Sequence, residues 1–100
     1  MDLPRQRFPE LIETVAFFII MEAVVNAAKH ARVDCVEVRG RVRGRELAIE
    51  IRDEGVGGAD PRRGTGLRNM AERLAALDGT ITVSSPPRGG TVIQVVLPCE

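Results

Sequence analysis

Three polar residues recur at helical spacing within an apolar stretch of the chain. Glu22, Asn26 and Lys29 lie in the run LIETVAFFIIMEAVVNAAKHA, residues 11–31. On a helix that turns about 100° per residue, Asn26 and Lys29 fall within about 40° of Glu22, so the three side chains share one narrow stripe. Burying such groups without partners is costly, so the stripe should face something polar. Its oxygen and ammonium groups suit a magnesium–phosphate assembly; the alternative is the solvent side of an amphipathic helix.

A glycine-rich stretch with a carboxylate at its start is the second candidate. Residues 53–66 read DEGVGGADPRRGTG, which no regular element accommodates. Asp53 ends an alternating segment and can accept a hydrogen bond from an exocyclic amine, while Gly57 lets a flat ring approach. The run GTG at residues 64–66 opens a predicted helix, whose free N–H groups can cradle an anion. The spacing matches neither the GxGxxG motif nor the P-loop motif, and a turn-rich surface loop is the alternative.

Hydrophobic periodicity predicts the elements that must position these residues. In chain order they are a helix over residues 11–31, strands over 34–43 and 46–52, a helix over 67–77, and strands over 80–85 and 91–97. Pro9 is suited to the start of the first helix, which is apolar nearly all round and is therefore predicted to be mostly buried. Gly79 is expected to cap the second helix. The order predicts an α+β two-layer sandwich, with a mixed, mostly antiparallel sheet covered on one face by helices.

Composition narrows the class of protein. The 100 residues suffice for one small domain, which we assign to residues 9–100, while residues 1–8 are polar and aperiodic and are interpreted as a linker or the domain's edge. Lys+Arg and Asp+Glu are both 14, which argues against a nucleic-acid or anionic-membrane partner. Cys35 and Cys99 are isolated, so no zinc site or disulfide is predicted and a cytoplasmic location is expected. The apolar run over residues 15–21 is too short to cross a bilayer, and no signal-peptide pattern precedes it.

Four motifs occur in an informative order. They are EAVVNAAKHA at residues 22–31, DEGVGG at 53–58, GTGLRNM at 64–70 and GGTVIQVVLP at 89–98. Together they resemble the N box, the two glycine boxes and the closing strand motif of the ATP-binding catalytic domain of sensor histidine kinases, in the GHKL (Bergerat-fold) ATPase superfamily. The short lid between Gly58 and Gly64 lacks a Phe-containing box and is similar to the subclass that signals to LuxR/NarL-type response regulators.

The resemblance implies a role for each candidate residue. Asn26 would bind the magnesium ion that bridges the ATP phosphates, and Glu22 would be the catalytic residue that polarises or positions a water or the acceptor. Asp53 would accept the adenine amine, and Thr91 would support that contact through a water. The remaining nucleotide-binding candidates are Lys29 and His30 near the phosphates or ribose, Gly55 and Gly57 in the first glycine box, and Gly64, Thr65, Gly66 and Leu67 over the phosphates. On its own, a single histidine near a helix end is more typical of capping or packing.

The implied function is supply of Mg²⁺-bound ATP for phosphoryl transfer to a histidine on the parent protein's dimerisation domain, and then to an aspartate of a response regulator. No phosphoacceptor motif is present, His30 lies in the N box and the family's first strand is truncated, so the chain is expected to bind ATP without autophosphorylation. An anti-sigma-factor Ser/Thr kinase of the same fold is the alternative. A non-enzymatic module that has lost ATP binding is a third hypothesis, which the intact Asn26, Asp53 and Gly66 disfavour. The domain itself is not expected to contact a membrane, although the parent kinase can be membrane-anchored.

Overall fold

The computed structural model describes residues 2–4, 6–27, 36–54, 65–84 and 90–99. Its elements are, in chain order, α1 (Glu10–Asn26), β1 (Glu37–Arg43), β2 (Glu46–Asp53), α2 (Thr65–Ala75), β3 (Thr80–Ser84) and β4 (Thr91–Pro98). The strands form a sheet in the order β1-β2-β4-β3, and each of these pairs is antiparallel. The α+β prediction is therefore confirmed. The parallel pairing seen in the described residues is a single bridge from Asp2 to Arg39.

Hydrogen bonds to one carboxylate fix the start of α1. Pro9 precedes the first helical residue with φ −51° and ψ 144°, a conformation that lies outside the helix. The Glu13 carboxylate accepts a hydrogen bond from the Phe8 N–H at 3.2 Å and from the Arg7 Nε at 3.0 Å. The Phe8 N–H and the Arg7 guanidinium hold the pKa of the Glu13 carboxyl below its ordinary value, because both stabilise the charged form. The turn of chain before α1 is thereby tied to the helix.

The prediction that α1 is mostly buried is wrong. Its buried residues are Ile12, Ala16, Ile19, Ile20 and Ala23. Its exposed large apolar residues are Leu11, Phe17, Met21, Val24 and Val25. A two-layer fold covers a helix on the side that meets the sheet and leaves the other side to solvent, so an apolar surface all round does not imply burial all round.

The buried face of the sheet comes from alternation along its two central strands. On β2 it consists of Leu47, Ile49 and Ile51, and on β4 of Ile93, Val95 and Leu97. These side chains form one core with the buried face of α1 and with Leu67, Met70 and Leu74 of α2. Burial of each large apolar side chain contributes about 1.5–3 kcal/mol, so this layer is the main source of stability.

The end of α2 differs from the prediction in the role of its glycine. The Gly79 N–H donates to the Leu74 carbonyl at 2.7 Å, and the Asp78 N–H donates to the Ala75 carbonyl at 3.1 Å. This is a Schellman ending in which Asp78, with φ 58°, takes the left-handed position that was expected of the glycine. Gly79 is needed for space instead, since a Cβ there would lie 2.8 Å from Cδ2 of Leu97.

Residues before α1 pair with the free edge of β1. The Asp2 N–H donates to the Val38 carbonyl at 2.8 Å, and the Gly40 N–H donates to the Asp2 carbonyl at 2.7 Å. The Asp2 carboxylate also pairs with Arg41 at 2.9 Å. These contacts attach the start of the chain to the sheet, while its assignment to a linker over residues 1–8 stays a prediction.

Candidate functional site

The structure brings two predicted site residues together at one end of the sheet. Asp53, the last residue of β2, is the direct cross-strand partner of Thr91, the first residue of β4. Both continue the buried face of their strands, and Thr91 is only 8% exposed while Asp53 is half-buried. Side chains at directly opposed positions lie about 4.5–5.5 Å apart at their Cβ atoms. A carboxylate acceptor and a hydroxyl therefore lie side by side where the apolar core ends, and together they can accept a hydrogen bond from an amine and hold a water.

Gly90 is a site-forming residue that the sequence analysis did not single out. It is buried and has φ +75°, a conformation that side chains with a Cβ rarely adopt. The atom nearest to a Cβ built there is the carbonyl oxygen of Asp53, and the Cα of Glu54 would lie 3.2 Å away. The two glycines before Thr91 in the sequence could have pointed to Gly90, but only with the knowledge that the end of β2 lies beside it.

Glu22 and Asn26 lie on a flank of α1 between its buried and exposed faces, and both are half-buried. Phe18, Glu22 and Asn26 follow one another at intervals of four residues, so they line the same side of the helix. The Phe18 ring lies against the Arg73 guanidinium of α2, with 4.2 Å from Cζ to the ring centroid. The polar flank therefore runs along the side of α1 that meets α2.

The first turn of α2 contains the predicted phosphate-binding residues Thr65 and Gly66. The first N–H groups of a helix lack partners within it, so this turn can receive an anion. Leu67 is 8% exposed and packs in the core, so a contact of this residue with phosphate would come from its backbone. Gly79, just after α2, lies beside Leu97, so the C-terminal end of α2 lies near the end of the sheet that is opposite Thr91. The N–H groups in the first turn of α2 point in the other direction along the helix, away from the Leu97 end of the sheet.

Five predicted site residues lie outside the part of the chain that the structure describes: Lys29, His30, Gly55, Gly57 and Gly64. Two described residues, Glu22 and Asn26, offer oxygen atoms one helical turn apart. Carboxylate and amide oxygens fit magnesium, which takes one or two protein ligands and fills its other positions with water and phosphate. These residues therefore have the chemistry that a magnesium–phosphate site needs.

Known proteins match nearly the whole chain. Residues 13–100 match the family model described as histidine kinase-, DNA gyrase B-, and HSP90-like ATPase. The chain is 39% identical over 97 residues to the oxygen sensor histidine kinase NreB of Staphylococcus carnosus, covering 93% of this chain and 28% of that protein. It is 32% identical over 96 residues to the signal transduction histidine-protein kinase/phosphatase DegS of Brevibacillus brevis, covering 93% and 25%.

The fold agrees as well. The structure superposes with a TM-score of 0.85 on the histidine kinase domain of a blue-light activated histidine kinase from Erythrobacter litoralis, at 21% identity, covering 98% of this chain and 49% of that one.

The chain belongs to the histidine kinase-, DNA gyrase B- and HSP90-like ATPase family. Within that family it is similar to the ATP-binding domains of sensor histidine kinases, and both curated relatives named above are histidine kinases. The chain spans about a quarter of the length of these two relatives. Neither helix in the described residues is long and apolar enough to cross a bilayer.

Proposed function

We propose that this domain binds Mg²⁺-ATP and presents its γ-phosphate to a histidine on the dimerisation domain of its parent protein. The observation that carries the proposal is the pairing of Asp53 with Thr91 at the end of the buried sheet face. It provides an acceptor for the amine of adenine beside a hydroxyl that can hold a bridging water. Guanine carries an oxygen at the corresponding position and would face the carboxylate unfavourably, so the site should prefer adenine nucleotides.

The phosphates are assigned to the helix side of the site. Asn26 would hold Mg²⁺ directly and Glu22 would hold its waters, and Thr65 and Gly66 offer N–H groups of the first turn of α2. Lys29, His30 and Gly64 are assigned to the phosphates or ribose, and Gly55 and Gly57 to the adenine. When bound there, magnesium would neutralise charge that develops on the phosphate oxygens.

In the transfer itself, an imidazole nitrogen of the acceptor histidine attacks the γ-phosphorus, and the bond to the bridging oxygen breaks to release ADP. Glu22 positions the acceptor or takes up its proton. The domain contributes mainly by orientation and charge stabilisation. The phosphoryl group then passes to an aspartate of a response regulator, for which the resemblance to kinases with a short lid suggests the LuxR/NarL type. We place this chemistry in the cytoplasm.

Binding of a non-hydrolysable ATP analogue, measured by calorimetry with and without Mg²⁺, tests the proposal. Asp53→Asn should weaken binding about 13- to 160-fold, because a hydrogen bond to a charged group contributes about 1.5–3 kcal/mol. Glu50→Gln is the matched control. Glu50 lies on the same strand but faces the opposite side of the sheet, where it pairs with Arg52 at 3.0 Å, so its replacement should leave affinity unchanged. Equal affinities of D53N and wild-type protein would refute the adenine site.

The magnesium assignment has its own test. Asn26→Asp should sharply reduce the gain in affinity that Mg²⁺ produces, because the added charge repels phosphate at the metal. The same variant measured in EDTA shows how much of the loss comes from repulsion of the phosphates alone, and only the further loss with Mg²⁺ is assigned to the metal. The isolated chain should bind ATP without acquiring phosphate, and acid-labile phosphate on its single histidine, His30, would contradict the assignment of that residue to the N box.

A further inference from the structure

A very close backbone contact joins the two strands that carry Asp53 and Thr91. Gly90, immediately before β4, has φ +75° and is buried. A Cβ at this position would overlap the Asp53 carbonyl oxygen, and it would lie 3.2 Å from the Glu54 Cα and 3.4 Å from the Asp53 carbonyl carbon. All three neighbours are backbone atoms, which cannot turn aside as the end of a flexible side chain can. Any side chain at position 90 must therefore displace the end of β2.

This contact lies at the end of β2, shortly before the glycine-rich stretch of the sequence. Asp53 closes the ladder of β2 with β4, and Glu54 is the first residue beyond it. The direction of the Asp53 carboxylate depends on the backbone of these two residues. Gly90 is thus the residue that permits the approach, whereas Asp53 and Thr91 supply the functional groups.

We propose that Gly90 is a positioning residue that determines selectivity for the adenine base. It acts through Asp53. Because position 90 has no Cβ, the end of β2 is not displaced, and the Asp53 carboxylate stays beside the Thr91 hydroxyl, where it can accept a hydrogen bond from an amine. The inference rests on the proposed function, because it requires that Asp53 accepts a hydrogen bond from adenine. It goes beyond that function by assigning the precision of base recognition to a residue that has no side chain.

The β1–β2 turn offers a matched control. Gly44 also has a left-handed backbone, with φ +61°, but nothing lies within 4 Å of a Cβ built there. Gly44→Ala therefore introduces the same kind of backbone strain as Gly90→Ala without displacing a neighbouring strand. A difference between the two variants isolates the contact with Asp53 from the general cost of a left-handed alanine.

The experiment measures dissociation constants of ADP and of IDP, which lacks the exocyclic amine, for wild type, G90A and G44A by calorimetry. Circular dichroism at the same temperature selects conditions in which all three are folded. The wild type should prefer ADP by tenfold or more, G44A should keep that preference, and G90A should lose most of it by weakening ADP binding at least tenfold. A folded G90A with wild-type preference would overturn the inference, as would an equal loss in G44A.

A second variant and a second measurement keep the inference testable if G90A does not fold. Asparagine tolerates the left-handed region better than alanine but still adds a Cβ, so Gly90→Asn should fold more readily and still lose the preference for ADP. In the wild-type protein, the amide NMR signals of Gly90 and Glu54 should shift more with ADP than with IDP. Retained preference in G90N, or equal shifts with both nucleotides, would refute the inference. Failure of the wild type to bind either nucleotide would instead refute the proposed function.

Discussion

Replacing Thr91 with valine or serine tests the role of its hydroxyl. Thr91→Val removes the hydroxyl and keeps the branched shape at a residue that is 8% exposed and directly opposite Asp53. A neutral hydrogen bond contributes about 0.5–1.5 kcal/mol net, which corresponds to about 2- to 13-fold in a dissociation constant. We expect T91V to weaken ADP binding by that factor. Thr91→Ser keeps the hydroxyl and removes a buried methyl group, which should cost about 1 kcal/mol of unfolding free energy.

The pair of variants separates binding from stability. Thr91 is buried, and buried side-chain hydroxyls are generally hydrogen-bonded, so the loss of its hydroxyl should also destabilise the domain by about 1 kcal/mol. Urea denaturation should therefore show similar losses of stability in both variants, while calorimetry with ADP should show weaker binding in T91V alone. If T91V binds ADP as the wild type does, or if T91S loses as much affinity as T91V, the hydroxyl is not part of the nucleotide site.

Four further substitutions test the fold by urea denaturation. Ile19→Ala should cost about 2–5 kcal/mol of unfolding free energy because Ile19 is fully buried. Phe17→Ala should change the unfolding free energy by less than about 0.5 kcal/mol because Phe17 is 65% exposed. Similar losses in the two variants would contradict the assignment of helix faces. Asp78→Gly should stabilise the domain by about 0.5–1 kcal/mol by relieving the left-handed backbone at φ 58°, and a loss of stability would show that the aspartate side chain matters more. Because its pKa is lowered on folding, the Glu13 carboxylate stabilises the domain fully above its ordinary pKa of 4.5, and this contribution is lost as the pH falls through the lowered value. Glu13→Gln should therefore be less stable than wild type at pH 7, the difference should shrink as the pH falls below 4.5, and a constant difference would contradict the ion pair.

Local patterns in the sequence were sufficient to locate the elements, but not the surroundings of α1. The alternation of residues 46–52 predicted β2 to within one residue, because a strand half-buried in a sheet repeats every two positions. The composition of α1 predicted a helix, yet nothing in it distinguished Ile19 on the buried face from Phe17 on the exposed face. That distinction depends on where the sheet lies, and the sheet is formed by residues far along the chain.

For the candidate site too, the sequence indicated the residues and the tertiary structure decided how they are arranged. Asp53 and Thr91 were identified from the motifs that contain them, and the resemblance assigned them related roles. Their direct opposition follows from the register of β2 with β4, which joins segments 38 residues apart and is determined by both buried faces together. The importance of Gly90 became visible only once that register put its backbone against the end of β2.

The amino-acid sequence alone therefore determined which segments become helices and strands and which residue types could bind a nucleotide. It could do so because backbone propensity and hydrophobic period act over a few neighbouring residues. The tertiary structure decided which face of α1 meets solvent, which carboxylate stands beside which hydroxyl, and where a Cβ cannot be accommodated. These depend on the spacing of backbones brought together from distant parts of the chain, and close packing makes that spacing sensitive to a single added carbon atom.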